Sequence, residues 1–516
     1  MGSLGFVDAV EKHVAKVVEL CTHGESPLLA DGVDLGTGEA LVWEGNLLSN
    51  LACQQNFLRA LDALGTLTGD GKYHEQADAW IGCGLEKIHD ETSDLFYWGG
   101  HTSYDLLTDG PVLGNHEMKC VYPHYAYLYR VNPEVMTRFT KAVWHAHIWD
   151  WRTLLFNRHG IYEPWEEKWD AEFEGGALPI VENTALSFVN TGSDLILGGA
   201  MLHALSGDET PLRWAKHLLS RYDEIRHRDT GLAGYQFNHR DPCRVLASFK
   251  APFSERTDLN EVTVVTNGVI QVRYGRAAVT WLNVAGTLGD EKGSDFCDVV
   301  KADLMALADH CYDVSDHCFY PAINDGTRLY PENSNEGVGY CPPPKLRKVS
   351  ANGLMFLSYS RAFNVTGVER FREMAFLLAE GMGWGDLDTP VDFGAGGSPE
   401  SQEHWVNKGQ NDACALFGLL ELHSATGEDV LLQSATSLGE RLLSQYQVDG
   451  LIVSGGKTGE SNIDTALPLA LLHLEGAKRG DRSALPSFCP NNTYFDPKIV
   501  IRRWAEEEKA KAEGGQ

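Results

Sequence analysis

A short signal for a helical turn recurs along this chain and constrains its fold more than any other feature. In this signal an apolar helical run ends at a glycine, and an acidic residue follows within two positions. Glycine ends helices because it adopts the left-handed conformation without strain, and an acidic residue suits the start of the next helix. The signal occurs at Thr68-Gly69-Asp70, Ser206-Gly207-Asp208, Leu288-Gly289-Asp290, Thr366-Gly367-Val368-Glu369 and Thr426-Gly427-Glu428. Each occurrence predicts the turn of a helical hairpin.

Repeated hairpins predict an all-α architecture. Strand-like segments are few, namely a short apolar run at 262–265 and a hairpin arm at 451–453. Many antiparallel helix pairs in one chain favour an (α/α) toroid, with apolar inner helices and functional loops at one end. No Ser- or Pro-rich linker divides the chain. We therefore expect residues 1–500 to form a single (α/α) barrel and residues 501–516 to form a charged C-terminal tail.

The charge of the chain narrows the possible function classes. The formal net charge is −29, from 43 basic and 72 acidic residues. Nucleic-acid-binding proteins usually carry a basic surface, so a nucleic-acid partner is not expected. No run of about 18 apolar residues is present, so no membrane partner is expected either. An acidic polysaccharide would need a local cationic site to overcome the repulsion of this surface.

The first residues and the cysteines predict a cytoplasmic protein. Residues 1–8 lack the basic region and apolar run that begin a secretory signal. The 11 cysteines are an odd number without CxxC spacing. This pattern predicts free buried thiols in a reducing compartment rather than a disulfide framework.

Three segments rich in histidine and glycine make up the candidate site. Neighbouring residues on a helix or strand point in different directions, so each segment is expected to direct one ligand at a metal. The resulting ligand set is His101, Glu117 and His159, with Arg158 directed at an anionic substrate. Two imidazoles and a carboxylate suit Mn, Fe, Co, Ni or Zn better than Ca. The segments are Trp98-Gly99-Gly100-His101, Gly114-Asn115-His116-Glu117-Met118-Lys119 and Asn157-Arg158-His159-Gly160.

Other segments suggest further roles. Long loops rich in aromatic residues are typical of carbohydrate clefts, and Trp98 and Tyr235 are the candidates for binding sugar rings. The carboxylates of Asp170 and Glu172 are of the kind that a glycoside hydrolase uses in pairs. His145-Ala146-His147 lies in an apolar helical run, where residues two apart diverge, so a structural role is expected.

The three site segments resemble polysaccharide lyase family 2, the metal-assisted pectate lyases. The similarity continues at 178–195, 231–237 and 462–469 and covers about residues 40–475. It implies an (α/α)7 barrel that cleaves polygalacturonate by β-elimination with a transition metal such as Mn, Co or Ni. It also implies that His101, Glu117 and His159 bind the metal and that Arg158 is the base. Exo action with release of a disaccharide is a further expectation, because a cytoplasmic enzyme would meet short oligosaccharides.

The loop after Tyr235 supplies candidates for further cationic residues, Lys250 for catalysis and Arg256 for substrate binding. β-Elimination removes the C5 proton of a uronate and expels the oxygen at C4, and cations on the carboxylate stabilise the charge that develops. A guanidinium keeps its proton in nearly every protein environment. The residues alone therefore allow Lys250 as the base with Arg158 as a carboxylate clamp, whereas the resemblance favours Arg158 as the base.

Two other functions stay open at this point. One is an (α/α)-barrel glycoside hydrolase that acts on acidic sugars through Asp170 or Glu172. The other is a carbohydrate-binding barrel with a vestigial metal site and no catalysis. An ultraviolet assay separates the three functions, since only elimination produces a conjugated, unsaturated uronate.

Overall fold

Helices make up most of the computed structural model, which describes residues 5–112, 114–176, 185–238, 245–336, 340–393 and 408–492. A π-helical turn at Val272–Ala277 joins α8 to α9, so these elements run on as one helix. The helices are α1 (Phe6–Cys21), α2 (Gln55–Thr68), α3 (Lys72–Lys87), α4 (Tyr125–Val131), α5 (Pro133–His147), α6 (Val189–Ser206), α7 (Glu209–Glu224), α8 (Asn267–Gln271), α9 (Ala278–His310), α10 (Gly353–Thr366), α11 (Glu369–Gly381), α12 (Lys408–Thr426), α13 (Asp429–Tyr446) and α14 (Leu467–Lys478).

The strands are short and pair as small antiparallel sheets between the helices. The expected strand at 262–265 is β12, and the expected hairpin arm at 451–453 is β18, which pairs with β17. The strands are β1 (Thr22–His23), β2 (Ser26–Leu29), β3 (Gly32–Asp34), β4 (Glu39–Ala40), β5 (Leu48–Ser49), β6 (Ser103–Asp105), β7 (Gly110–Val112), β8 (His116–Glu117), β9 (Ile148–Asp150), β10 (Leu155–Phe156), β11 (His159–Gly160), β12 (Val264–Val265), β13 (Tyr312–Asp313), β14 (Cys318–Phe319), β15 (Ala322–Ile323), β16 (Val349–Ser350), β17 (Gln447–Val448), β18 (Leu451–Ile452) and β19 (Glu460–Asn462).

The glycine signals found in the sequence all lie at turns. Gly69, Gly207, Gly367 and Gly427 end helices in the left-handed conformation, and the next helix begins two or three residues after each. Gly289 has φ 74° and breaks α9 into two halves. The halves fold back on each other, because Gly293 lies against the backbone of Ala285. The turns predicted from the sequence are therefore confirmed.

The helices form a closed ring of hairpins. Within the described ranges there are seven hairpins, and their inner helices lie side by side around the ring. The link between α2 and the α4 hairpin is a hydrogen bond from Arg59 to the carbonyl of Tyr122, three residues before α4 begins. Contacts of α14 with α2 close the ring, and α1 is the outer partner of α14. The predicted all-α (α/α)7 barrel is confirmed. The hairpins are α2 with α3, α4 with α5, α6 with α7, the first half of α9 with its second half, α10 with α11, α12 with α13, and α14 with α1.

The burial of each helix reflects its place in the ring. The inner helix α6 is buried along almost its whole length and contains Gly198 and Gly199, which pack against Tyr125 and Pro211. Its outer partner α7 buries one apolar stripe and exposes the other face. A helix that is apolar all round belongs in a core, whereas an amphipathic helix belongs at a surface. The sequence of each hairpin therefore sets which helix faces the barrel interior.

The segment 485–492 passes through the interior of the ring. Its carbonyl groups accept hydrogen bonds from inner helices, at Phe488 from Asn283 (2.7 Å) and at Asn491 from Gln410 (2.6 Å). Its last described residue, Asn492, donates its backbone N–H to the carbonyl of Cys120 at 2.7 Å. The chain thus reaches the end of the barrel where the inner helices begin.

One carboxylate near the C-terminus completes a helix near the N-terminus. Asp464 accepts hydrogen bonds from the backbone N–H groups of Asn56 (2.5 Å) and Phe57 (3.2 Å), in the first turn of α2. The residue that precedes α2 provides no side-chain cap of its own. A carboxylate is well suited to these N–H groups, which have no partner within the helix.

Two sequence predictions concern features beyond the barrel itself. No helix among the described residues is both long enough and apolar enough to cross a membrane. The charged tail expected at 501–516 lies outside the described residues.

Candidate metal and substrate site

The three candidate segments meet at the end of the barrel where inner helices begin. β8 lies shortly before α4, and it pairs with β11 so that Glu117 lies opposite His159. On the other side of β8, Gly99 bridges to Glu117, and Gly100 donates its N–H to the Glu117 carbonyl at 3.1 Å. Backbone pairing therefore brings together segments that are distant in the sequence.

The predicted ligand set converges on one point. His101, Glu117 and His159 each offer one ligand atom, and these atoms all lie within 4.8 Å of one another. The Nε2 atom of His101 is 3.1 Å from one carboxylate oxygen of Glu117, and Nε2 of His159 is 3.6 Å from the other. Ligand atoms about 2.1 Å from a shared ion would be separated by about 3–3.5 Å. The arrangement therefore fits a divalent transition metal.

Glycines make room for this convergence. A side chain at Gly99 would overlap the carbonyl of Glu117, and one at Gly100 would overlap the Glu117 carboxylate. A side chain at Gly114 would overlap the carbonyl of His101, and one at Gly160 would reach 2.8 Å from His147 Nε2. A glycine beside each ligand segment is a signal that the sequence carries but that our interpretation did not use.

Two buried histidines support the site without joining the ligand set. His147 Nδ1 is 2.7 Å from the carbonyl of Asn157, which can only accept, so Nδ1 carries the proton. His147 Nε2 then accepts from His116 Nδ1 at 3.0 Å. Burial lowers the pKa of His147 to about 4 and lowers that of His116 as well, so both rings stay neutral. His147 thus has a structural role, as expected, because its hydrogen bond to Asn157 holds the segment that carries His159.

Arg158 lies directly against the ligand cluster. Its Nε atom is 3.3 Å from Glu117 and 3.2 Å from the Nε2 atom of His159. The guanidinium packs 5.7 Å from the ring centre of Phe188, and its side chain is 28% exposed. A cation at this position, partly open to solvent and next to the ligands, is placed to contact a substrate carboxylate.

The two aromatic candidates differ in their access to substrate. Tyr235 is half-buried and packs on Phe188 with ring centres 4.9 Å apart, which places it beside Arg158 through the shared phenylalanine. Trp98 is completely buried and packs edge-on against Phe96 and Phe139. A ring without exposed surface cannot stack on a sugar, so Trp98 belongs to the core and we remove it from the substrate-binding set.

The two cations predicted after Tyr235 are engaged elsewhere. The Lys250 side chain is exposed, and its ammonium donates to the carbonyl of Glu332 at 3.2 Å. Arg256 pairs with Asp258 (3.0 Å) and Asp325 (2.8 Å), and its bonds to Asp258 raise its pKa. Neither residue contacts His101, Glu117, His159 or Arg158 among the described interactions, so the structure does not bring them into the cluster.

The carboxylates considered for a hydrolase lie on the outside of the barrel. Asp170 and Glu172 are both exposed. The loop that carries them packs on the outer helix α7, where Arg213 and Trp214 donate to the carbonyl of Trp169 at 2.7 and 3.0 Å. A pair of catalytic carboxylates would be expected in the cleft, so this position gives no support to the hydrolase alternative.

Solved structures with some similarity include two carbohydrate-active enzymes. A family 76 glycoside hydrolase from a bovine Bacteroides thetaiotaomicron strain is 14% identical, with a TM-score of 0.46 over 93% of this chain and 79% of that chain. A sugar epimerase from a ruminal bacterium is 11% identical, with a TM-score of 0.47 over 92% of this chain and 98% of that chain. At these values neither likeness bears on the chemistry of the site.

A curated relative is more similar in sequence. The pectate disaccharide-lyase of Dickeya dadantii (strain 3937) is 34% identical over 255 residues, which are 45% of this chain and 46% of that protein. The alignment thus spans about half the length of the curated relative.

A family described as periplasmic pectate lyase matches residues 26–498. That description overturns the cytoplasmic location expected from the N-terminal residues and the cysteines. The ten cysteines that the structure describes are free thiols, as expected. Burial raises the pKa of the Cys120 and Cys341 thiols to about 12, and such thiols are inert, so they are a poor guide to the compartment. The match spans nearly the whole barrel, and the chain belongs to this pectate lyase family.

Proposed function

We propose that this protein is a pectate lyase that cleaves polygalacturonate by metal-assisted β-elimination and leaves a 4,5-unsaturated uronate. The observation that carries the proposal is the convergence of His101, Glu117 and His159 within 4.8 Å, with Arg158 in contact with the cluster. Membership of a pectate lyase family and the name of the curated relative support the choice of reaction and substrate.

His101, Glu117 and His159 are the residues that would hold the metal, for which Mn, Co or Ni is our proposal. A dication bound there would polarise the uronate carboxylate and so stabilise the negative charge that develops when C5 loses its proton. The glycines around Glu117 let the carboxylate sit at hydrogen-bonding distance from His101. The paired neutral rings of His116 and His147 hold the strand that carries His159 in register.

Arg158 is the residue that we assign to the C5 proton. Its Nε atom lies beside two of the ligands, so a uronate carboxylate directed at the cluster would bring C5 close to the guanidinium. The alternative role is to clamp the carboxylate, which suits a planar guanidinium equally well. Lys250 is the less favoured base because its ammonium is bonded to the carbonyl of Glu332.

Exo action with disaccharide release is a finer part of the proposal. Its support is the name of the curated relative, a pectate disaccharide-lyase, which aligns with about half of its length. The products distinguish the two modes of action. An exo enzyme releases unsaturated disaccharide from the first turnovers, whereas an endo enzyme first produces a ladder of longer oligomers.

The test is an ultraviolet assay of the purified full chain on polygalacturonate with added manganese, followed by mass analysis of the products. We expect absorbance of the conjugated product to rise, and Glu117→Gln to abolish the rise because a neutral amide is a poor metal ligand. Release of saturated sugars would instead indicate hydrolysis. An intact polymer with measurable binding would indicate the non-catalytic alternative.

A further inference from the structure

Lys119 is a half-buried residue whose ammonium has no partner among the described residues. Its ammonium makes no hydrogen bond, ion pair or ring contact with any part of the chain that the structure describes. Every other lysine or arginine in those ranges that is buried or half-buried has at least one such contact. The exposed Lys168 also lacks one, but it lies in the loop that packs on the outer helix α7. The stem of Lys119 is partly buried while its Nζ atom keeps contact with solvent, so its charge is available to an anionic ligand.

The position of Lys119 relates it to the ligand cluster. It lies two residues beyond Glu117, which closes β8. His116 and Met118 are completely buried, and alternate residues of an extended chain share a face. Lys119 lies in the bend that follows β8, and two residues of chain span at most about 7 Å, so its backbone lies close to that of Glu117.

The backbone around Lys119 is held on both sides. The carbonyl of Met118 accepts a hydrogen bond from the Thr191 hydroxyl at 2.6 Å. Cys120 donates its N–H to Asn190 at 3.1 Å and accepts from Asn492 at 2.7 Å. The backbone that carries the ammonium is therefore already ordered, so that binding of a ligand would have to order only the side chain.

We propose that Lys119 is a substrate-binding residue that pairs with a carboxylate of the galacturonate chain next to the one directed at His101, Glu117 and His159. The inference rests on the proposed function for the identity of the substrate. In a chain of net charge −29, an uncompensated cation beside the cleft supplies the local attraction that a polyanion needs. Lys119 takes the place that the sequence analysis gave to Arg256, whose charge is neutralised by Asp258 and Asp325.

The test compares three variants in a binding assay that does not depend on turnover. Trigalacturonate is titrated by calorimetry into chelator-treated wild type, Lys119→Gln, Lys119→Arg and Lys168→Gln. Lys168→Gln is the matched control, because it removes the same charge from a lysine that also lacks a partner but lies on the exposed outer loop. Thermal unfolding checks that each variant is folded.

We expect Lys119→Gln to weaken trigalacturonate binding about tenfold, the effect of losing one charge-assisted contact, while Lys119→Arg stays within about threefold. Lys168→Gln should bind like wild type. With polygalacturonate as substrate, Lys119→Gln should raise KM and leave kcat nearly unchanged. Equal affinities of wild type and Lys119→Gln, an equal loss in Lys168→Gln, or absence of binding to wild type would overturn the inference. A wild type that binds but forms no unsaturated product would overturn the proposed function alone.

Discussion

Gly100 lies directly against the carboxylate of Glu117, with no room for a methyl group between them. The same glycine donates its N–H to the Glu117 carbonyl, so the backbone cannot move away without breaking the bridge to β8. The position of the Glu117 carboxylate, the proposed central ligand, thus depends on the absence of a side chain on a residue that would not itself bind the metal.

Gly100→Ala should therefore displace the Glu117 carboxylate and lower manganese affinity by about 10- to 100-fold, as expected when the support of a ligand is disturbed. Calorimetry with manganese measures this effect. Gly82→Ala is the control. Gly82 lies in α3, and a methyl group at this position would meet no atom within 4 Å. Unchanged manganese affinity in Gly100→Ala would show that the carboxylate is not held as described.

Removal of the metal should abolish the activity. The ligand set contains two imidazoles, which suit transition metals better than calcium. Dialysis against a chelator should stop formation of unsaturated product, manganese or cobalt should restore it, and calcium should restore it poorly. Full activity of demonstrably metal-free protein would contradict the assignment of His101, Glu117 and His159.

Arg158→Ala should lower kcat at least about a thousandfold, because one group would supply both proton transfer and charge stabilisation. Arg158→Lys should recover only part of the loss, since a point charge does not reproduce a planar guanidinium. Lys250→Ala is the comparison that decides between the two bases. If Lys250→Ala lost turnover while Arg158→Ala kept it, Lys250 rather than Arg158 would be the base that removes the C5 proton.

His13 should make the folded protein sensitive to acid. Its Nδ1 accepts the backbone N–H of Ile452 at 3.0 Å, and burial lowers its pKa from 6.5 to about 3. Below pH 6.5 the unfolded chain binds a proton that the folded chain does not, so stability is present above this value and is lost as the pH falls. At about pH 5 the loss is about 2 kcal/mol.

His13→Asn tests this, because the amide oxygen can accept the same N–H but does not titrate. Chemical denaturation above and below the unfolded pKa measures the free energy of unfolding of both proteins. The smaller side chain of the variant leaves a small cavity, so its free energy of unfolding should be lower than that of wild type at neutral pH. On acidification this free energy should fall less in the variant than in wild type. An equal pH dependence of both proteins would rule out His13 as a source of acid sensitivity.

The hairpin turns could be predicted because the signal for each is local. Gly69 and Gly367 show the left-handed conformation that the sequence indicated. The turn between α4 and α5 has no glycine and was not identified. Asn132 caps α5 there by accepting from Val135 at 3.1 Å, and Pro133 begins the helix. An asparagine followed by proline is therefore a second turn signal in this chain.

The site could be predicted in part, because the motifs that carry its proposed ligands are also local signals. His101, Glu117 and His159 were identified from short motifs, and backbone pairing brings them together as the motifs required. Trp98 was placed in the cleft because aromatic residues in long loops are typical of carbohydrate clefts. Its burial depends on Phe139, which lies in α5, 41 residues further along the chain, and no local pattern shows that contact.

The cationic residues were the hardest part to predict. Lys250 and Arg256 were chosen for their place in the chain after Tyr235, but whether a cation is available depends on its partners. Arg256 meets Asp325, 69 residues away. Lys119 was visible within the ligand motif, yet what distinguishes it from an ordinary surface lysine is that its ammonium has no partner among the residues that the structure describes.

Because Asp464 caps α2, the first turn of this helix can be completed only after a much later part of the chain has been synthesised. The ribosome makes Asn56 408 residues before Asp464, so α2 has no cap until those residues have been added. Asn492, which donates to the carbonyl of Cys120, is made later still. Contacts between such distant residues slow folding, because a long loop must be closed before they can form. A nascent or prematurely terminated chain would therefore have the site motifs but not the closed ring that presents them to a substrate.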